Sequence, residues 1–395
     1  MFKIVSIVGG AALLASLASQ TWAMASDVRA TDPAVQDAIA KAVEKERAVY
    51  GGATPVPAVL IGVWDGHGGS YVHAFGKADL ATGRPLSVDD HFRIGSNTKT
   101  FVISVLLQLV DEGKLSLDDP ISRFPLGVDI PNADHITVRE LCQMRSGLFE
   151  AYDTPEVDRM NPGPETKLDP RTLIGWAVKQ KPYFPPGTAY RYTNTNYLVL
   201  GLLVESLTKD TIADQIETRL LKPFHLTQTS YPSSQAMPEP WAHGYGLNAQ
   251  RQWQDVSGTI PVSLMGAAGE MISDMADMKR WVNLFVEGKT SGAKTQKERL
   301  DCLPIGEGDG KFGLGVACSA GWYGYTGGLP GYNTANFEFP ATGATIVAWV
   351  TVQADKPKPG VANAIFRDIA TIMTPESPPL AGMSAPAKPT GRPHS

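Results

Sequence analysis

Ser96-Asn97-Thr98-Lys99 opens the stretch that decides the fold, and Thr100-Phe101-Val102-Ile103-Ser104-Val105-Leu106-Leu107-Gln108-Leu109-Val110 continues it. Residues at i and i+3 share one face of an α-helix. The apolar positions after Lys99 fit a buried helix better than a surface one. Ser96 then sits at a helix N-terminus, where unpaired backbone N–H groups point at an incoming carbonyl oxygen. Lys99 sits a turn deeper among apolar neighbours. Burial there disfavours its charged form and fits its amine to take a proton from the Ser hydroxyl. By itself S-x-x-K is weak, and an N-cap Ser with a solvated Lys is the simpler reading.

Two later segments reverse that judgement. Tyr192-Thr193-Asn194 lies inside Pro186-Gly187-Thr188-Ala189-Tyr190-Arg191-Tyr192-Thr193-Asn194-Thr195-Asn196-Tyr197, and Tyr325-Thr326-Gly327 inside Gly324-Tyr325-Thr326-Gly327-Gly328-Leu329-Pro330-Gly331. The order Ser/Lys, then Tyr-x-Asn, then a Thr-Gly strand resembles the penicillin-recognising serine hydrolases, which include class C β-lactamases, D-alanyl-D-alanine carboxypeptidases and related esterases. Gly113 to Pro120, Ile136 to Leu148 and Ala268 to Met278 resemble further segments of that group. The resemblance implies a β-lactamase/transpeptidase-like fold and an acyl-enzyme on Ser96. It implies that Asn194 holds the substrate amide carbonyl and Lys99. It also implies that the backbone N–H groups of Ser96 and Gly328 form the oxyanion hole, with Thr326 and Gly327 on the substrate-binding strand. Lys99 and Tyr192 are both candidates for the general base, and the residues leave that choice open.

The organisation along the chain agrees with an α+β architecture. Residues 26–50 read as a helix, Ala58 to Trp64 as a strand, and Tyr71 to Phe75 as its return after Gly66-His67-Gly68-Gly69. Helical patterns and Pro-rich loops dominate 111–290. Strands resume at Phe312 to Val316, around Tyr325, and at Ala344 to Val350, and Val361 to Met373 closes as a helix. Strands at both ends with helices between predict an antiparallel sheet flanked by helices, with a mainly helical lobe inserted at about 111–290. One hydrolase domain over 26–374 is expected, followed by a disordered Pro-rich tail at 375–395.

The chain has 395 residues, net charge -5 and three Cys. No basic run supports nucleic-acid binding. Residues 1–25 read as a signal peptide: Lys3, an apolar Ile4 to Ala18, and an Ala23-Met24-Ala25 cleavage site before Ser26. An uncleaved anchor is the alternative. A periplasmic or secreted protein with no stable membrane span after cleavage is the expectation. Export allows a Cys302–Cys318 disulfide, with two buried thiols as the alternative, and Cys142 reads as packing. No G-x-S-x-G elbow, H-E-x-x-H, paired Cys-x-x-Cys or P-loop is present, so no metal or cofactor is expected. His243 reads as a structural loop residue and Glu150 as a solvated carboxylate.

One departure from the family pattern matters. The position before Thr-Gly is usually Lys or His, and here it is Tyr325. A neutral phenol donates one hydrogen bond and supplies no charge for a substrate carboxylate. Tyr325 is expected to face the cleft where such a carboxylate would lie. The leading expectation is a D-alanyl-D-alanine carboxypeptidase-like hydrolase of peptide amides. The alternatives are a class C-like β-lactamase, an esterase on neutral esters, and a non-enzymatic penicillin or peptidoglycan sensor. The partner in each case is a small molecule or peptide.

Overall fold

The computed structural model describes residues 28–51, 54–160, 162–306, 308–353 and 360–379. The expected signal segment and the tail from 380 onward lie outside the described residues. An eight-stranded antiparallel sheet takes strands from the early and the late part of the described residues. Its strands are β1 (Ala58–Trp64), β2 (Ser70–Gly76), β3 (Leu303–Pro304), β4 (Lys311–Phe312), β5 (Ala317–Ser319), β6 (Trp322–Leu329), β7 (Tyr332–Phe339) and β8 (Ala344–Val350). They lie in the order β2-β1-β8-β7-β6-β5-β4-β3. Ile61 faces Ala348 across β1 and β8, and Thr326 faces Ala335 across β6 and β7.

Strand alternation explains why both sheet faces are buried. Val59, Ile61 and Val63 of β1, with Ile346, Ala348 and Val350 of β8, pack under α1 (Pro33–Gly51) and α5 (Val361–Met373). Leu60, Val347 and Trp349 point to the opposite face. There they meet the core that encloses α2 (Thr98–Asp111), α3 (Thr195–Thr208) and α4 (Met275–Val286). Helix α2 is buried from Thr98 through Leu107, as its uniform apolarity requires. Its few polar groups are matched: Trp281 Nε1 donates to Thr100 Oγ1 at 2.7 Å, and Arg299 donates to Ser104 Oγ at 3.0 Å and to the Thr100 carbonyl at 3.2 Å.

Two boundaries differ from the sequence reading. The first helix begins at Pro33, whose fixed φ suits the first helical position. The run Phe312 to Val316 is not one strand. β4 ends at Phe312, Gly313 N donates to the Val316 carbonyl, and Gly315 turns the chain at φ +62 before β5. A side chain at Gly315 would strike Ile103 on α2, so this turn sits tight against the nucleophile helix. Cys302 and Cys318 are paired across this edge of the sheet, with Cα atoms 6.6 Å apart. Cys142 is a buried free thiol whose pKa burial pushes up to about 12, in keeping with packing.

Trp349 ties the sheet to the turn that carries Ser96. It is fully buried, its ring lies 5.0 Å from that of Phe92, and its Nε1 donates to Asn336 Oδ1 at 2.7 Å. Trp349→Ala should cost about 3–5 kcal/mol through the cavity it leaves. Trp349→Phe should cost about 1–3 kcal/mol, chiefly by stripping Asn336 Oδ1 of its donor. Urea unfolding midpoints check both. A Phe variant as unstable as the Ala variant would mean that ring volume is not what holds this layer.

Candidate active site

The site begins with a tight turn. Phe92–Arg93 pairs with Ile272–Ser273, and Ile94 N donates to the Met271 carbonyl. Gly95 then reverses the chain at φ +54, a conformation that glycine adopts without penalty. A Cβ on Gly95 would come within 2.8 Å of Gly328 N, and one on Gly327 within 2.1 Å of the Ile94 carbonyl oxygen. Two glycines therefore let β6 lie against the 3₁₀ turn Gly95–Asn97. Asn97 Nδ2 and the Ile94 carbonyl both bond Thr334 Oγ1, which fixes the turn to β7.

Ser96 and Lys99 fall on one face of this turn and the first turn of α2. Lys99 is fully buried. Its Nζ lies 2.9 Å from Ser96 Oγ, 2.8 Å from Asn194 Oδ1 and 2.5 Å from the Ala268 carbonyl oxygen. Tyr192 Oη lies 2.8 Å from Ser96 Oγ on the other side. The structure thus brings together all four residues expected from two separate motifs. Asn194 immediately precedes α3, so that helix carries its amide into the site.

Desolvation lowers the Lys99 pKa to about 7, partly offset by attraction to Glu150. Burial raises that of Tyr192, against weaker opposing effects from Ser96 and Tyr325, so its phenol stays protonated near neutrality. The contacts of Nζ fit the same assignment. A neutral amine has two N–H donors and one lone pair. Asn194 Oδ1 and the Ala268 carbonyl are both pure acceptors, which leaves the lone pair for the Ser96 hydroxyl. Tyr192 then donates to Ser96 Oγ.

Two expectations need correction. Glu150 is not a solvated carboxylate. It is buried, and its Oε2 accepts from Asn194 N at 2.7 Å and Asn194 Nδ2 at 3.1 Å. These bonds fix which way the Asn194 amide points, and burial raises the Glu150 pKa. The only sequence signal was a lone carboxylate in the apolar setting Leu148-Phe149-Glu150-Ala151. Nor does Tyr325 face an open cleft. It is 3 % exposed, its ring packs edge-on to Phe312 at 5.8 Å, and its hydroxyl lies beside that of Tyr192 without a well-aligned partner. Its neighbours Tyr190 and Phe312 hold it in an aromatic wall. His243 Nδ1 lies 2.6 Å from Asp255 and its ring stacks on Trp241.

With this geometry in place, the kinship is clear. The Beta-lactamase family model matches residues 36–370. The chain belongs to the beta-lactamase family. That family falls within the penicillin-recognising serine hydrolase superfamily. Its structure is similar to that of a D-stereospecific amidohydrolase from Streptomyces sp., with 28% identity and a TM-score of 0.73 over 84% of this chain and 97% of that one. It is also similar in fold to D-amino acid amidase from Ochrobactrum anthropi SV3, with 23% identity and a TM-score of 0.76 over 87% and 99%. In sequence it is 30% identical over 177 residues to Protein flp of Staphylococcus aureus and 28% identical over 278 residues to D-aminopeptidase of Brucella anthropi. Those matches cover 44% and 70% of this chain, but only 34% and 49% of the relatives, so it spans a third to a half of their length.

The depressed Lys99 pKa has a consequence that needs no substrate. An unfolded Lys keeps a pKa near 10.5, so between about pH 7 and 10.5 the unfolded chain binds the extra proton. The Lys99 contribution to stability therefore rises with pH through that window, by at most about 1.4 kcal/mol per unit. Urea unfolding at pH 7 and 9 should show wild type gaining on Lys99→Met by about 2 kcal/mol. Parallel changes in the two proteins would mean an ordinary lysine pKa.

Proposed function

We propose that this protein hydrolyses amides and esters through a Ser96 acyl-enzyme, with Lys99 as general base. The observation that carries this reading is a fully buried Lys99 Nζ 2.9 Å from Ser96 Oγ: once the amine is neutral, Asn194 Oδ1 and the Ala268 carbonyl take its two N–H groups and its lone pair faces the Ser96 hydroxyl. As Ser96 Oγ bonds to the substrate carbonyl carbon, its proton passes to Lys99. The carbonyl oxygen becomes an oxyanion, for which the N–H groups of Ser96 and Gly328 are the assigned donors. The proton returns through Tyr192 to the departing nitrogen or oxygen as that bond breaks. Water then cleaves the acyl-enzyme with the same base. Glu150 acts by orienting Asn194 and does not touch the reacting atoms.

For substrate class we favour D-configured aminoacyl amides and short peptides, the reading nearest to the D-alanyl-D-alanine carboxypeptidase expectation. The activities for which the Streptomyces amidohydrolase and the Brucella D-aminopeptidase are named support it. A specific observation narrows it: the wall around Tyr192 is Tyr190, Phe312 and Tyr325, which offers no cation to a leaving group with a free carboxylate. Esterase action on neutral esters is the second reading that the same wall supports. Export is part of the proposal, resting on Lys3, the apolar run Ile4 to Ala18 and Ala23-Met24-Ala25.

Ser96→Ala should remove both fluorophosphonate labelling and hydrolysis of p-nitrophenyl acetate. Lys99→Ala and Tyr192→Phe should each slow acylation by about 10²-fold or more. In wild type the acylation rate should rise about tenfold per pH unit below about 7 and level off above it, because only the neutral amine accepts the proton. Intact-mass timing across pH checks this, and a flat profile would remove Lys99 as the base. Tyr325 yields a separate expectation. Wild type should favour a methyl ester over the matched free acid, and Tyr325→Lys should narrow that ratio by about tenfold, as a charge-assisted hydrogen bond is worth. An unchanged ratio in steady-state kcat/KM would place the leaving group elsewhere.

A further inference from the structure

Cys302 and Cys318 lie 16 residues apart in sequence, and their disulfide ties together the two ends of the segment that carries β3 and β4. A turn inside this segment, Gly313 to Val316, is pressed against the nucleophile helix. Gly313 N donates to the Val316 carbonyl at 2.9 Å, Leu314 N to the Arg299 carbonyl at 3.1 Å and Gly315 N to the Cys142 carbonyl at 3.3 Å. Arg299 is fully buried and bonds in turn to Thr100 and Ser104 of α2. A Cβ on Gly313 would fall 2.2 Å from the Arg299 carbonyl oxygen and 3.1 Å from Cys302 Sγ, and one on Gly315 would fall 2.9 Å from the Tyr197 hydroxyl. Disulfide, turn and helix thus meet without spare room.

Phe312 is the residue before this turn, and it ends β4. It is buried, and its ring meets Tyr325 edge-on at 5.8 Å and Tyr190 at 5.7 Å. Tyr325 places its buried hydroxyl beside that of Tyr192, where it has no well-aligned acceptor. A buried donor left unpaired is costly in the resting enzyme. The same donor becomes favourable when Tyr192 hands its proton to a leaving group. Tyr192 Oη then gathers negative charge, and a hydrogen bond to a charged acceptor is about twice as strong as a neutral one. The amine of an amide needs that proton in order to leave, whereas p-nitrophenolate departs as its anion. Whatever fixes Tyr325 therefore matters for amides and little for activated esters.

We infer that the disulfide-closed segment is a positioning element for proton delivery to the leaving group. Through Phe312 it keeps the Tyr325 hydroxyl on Tyr192. This inference rests on Ser96 as nucleophile and on Tyr192 as the group that returns the proton. Cys302, Cys318 and Phe312 are positioning residues in it and act only through Tyr325.

The test pairs one acyl group with two leaving groups, in D-phenylalanine amide and D-phenylalanine p-nitrophenyl ester. Opening the disulfide, as Cys302→Ser with Cys318→Ser, should lower kcat/KM for the amide by about tenfold or more and leave that for the ester within about threefold. Wild type treated with dithiothreitol, then freed of it, should behave alike: the reagent is oxidised to its cyclic disulfide while Cys302–Cys318 takes up two electrons and two protons. In a Tyr325→Phe background, which lacks the hydroxyl, opening the disulfide should lower the amide-to-ester ratio no further. A further fall in that background would overturn the inference, as would an equal fall on both substrates or an unmoved ratio. So would alkylatable thiols at Cys302 and Cys318 in protein folded under oxidising conditions. If the serine variant fails to fold, Phe312→Leu with the disulfide intact decides the matter, and it too should lower the ratio. Failure of the ester to acylate Ser96 would overturn the hydrolase reading itself, whereas acylation with an unmoved ratio overturns the positioning alone.

Discussion

A fully buried lysine with no carboxylate in contact is the constraint on which the rest of this structure depends. Removing an ammonium from water is costly, and the group responds by giving up its proton rather than by paying the full desolvation penalty. That response is useful only if the neutral amine is held in one orientation. Three separate parts of the chain do so: Asn194 ahead of α3, the Ala268 carbonyl from the loop before α4, and Ser96 on its own turn. Each is rigid for its own reason. Asn194 is fixed by Glu150, Ala268 by the adjoining strand pair of Phe92–Arg93 with Ile272–Ser273, and Ser96 by the bonds of Asn97 and Ile94 to Thr334.

This explains why the sheet and the helical lobe are interleaved in sequence. The sheet brings β6 against the Ser96 turn through Gly95 and Gly327, where no side chain would fit. The lobe supplies Tyr192, Asn194 and Glu150 from the other side. Helix α2 lies between the two and is buried on all sides, so its N-terminal turn cannot shift without disturbing both. Charge is used sparingly. Glu150 faces Lys99 through Asn194 rather than by direct contact, which tempers the fall in the lysine pKa without restoring its charge.

Much of this was legible in the residues. β1, β8 and α5 were read to their observed limits because their apolar runs are long and bounded by clear turn residues. Ser96, Lys99, Tyr192 and Asn194 were legible because their types and order form a known pattern. Glu150 was not, because its burial depends on N–H groups supplied by Asn194, distant in sequence. The Ala268 carbonyl has no sequence signature at all, since any residue provides one. The orientation of Tyr325 was misread for a related reason: whether it faces solvent is decided by Phe312 and Tyr190, which reach it across the sheet edge.

The burial of Tyr325 bears on the choice between the two bases that the sequence left open. A cation at this position would stand beside the Tyr192 hydroxyl and close to Lys99. It would stabilise a Tyr192 phenolate and at the same time push the Lys99 pKa lower still, so the phenolate would compete for the Ser96 proton. Tyr325 is neutral, and its hydroxyl beside that of Tyr192 opposes the effect of burial on the Tyr192 pKa only weakly. Under those conditions the Tyr192 proton is held tightly, while that of Lys99 is released near pH 7. On the proposed mechanism, a single residue before Thr326-Gly327 thus bears on two properties together: it withholds a charge from the leaving-group side, and it favours Lys99 over Tyr192 as the base.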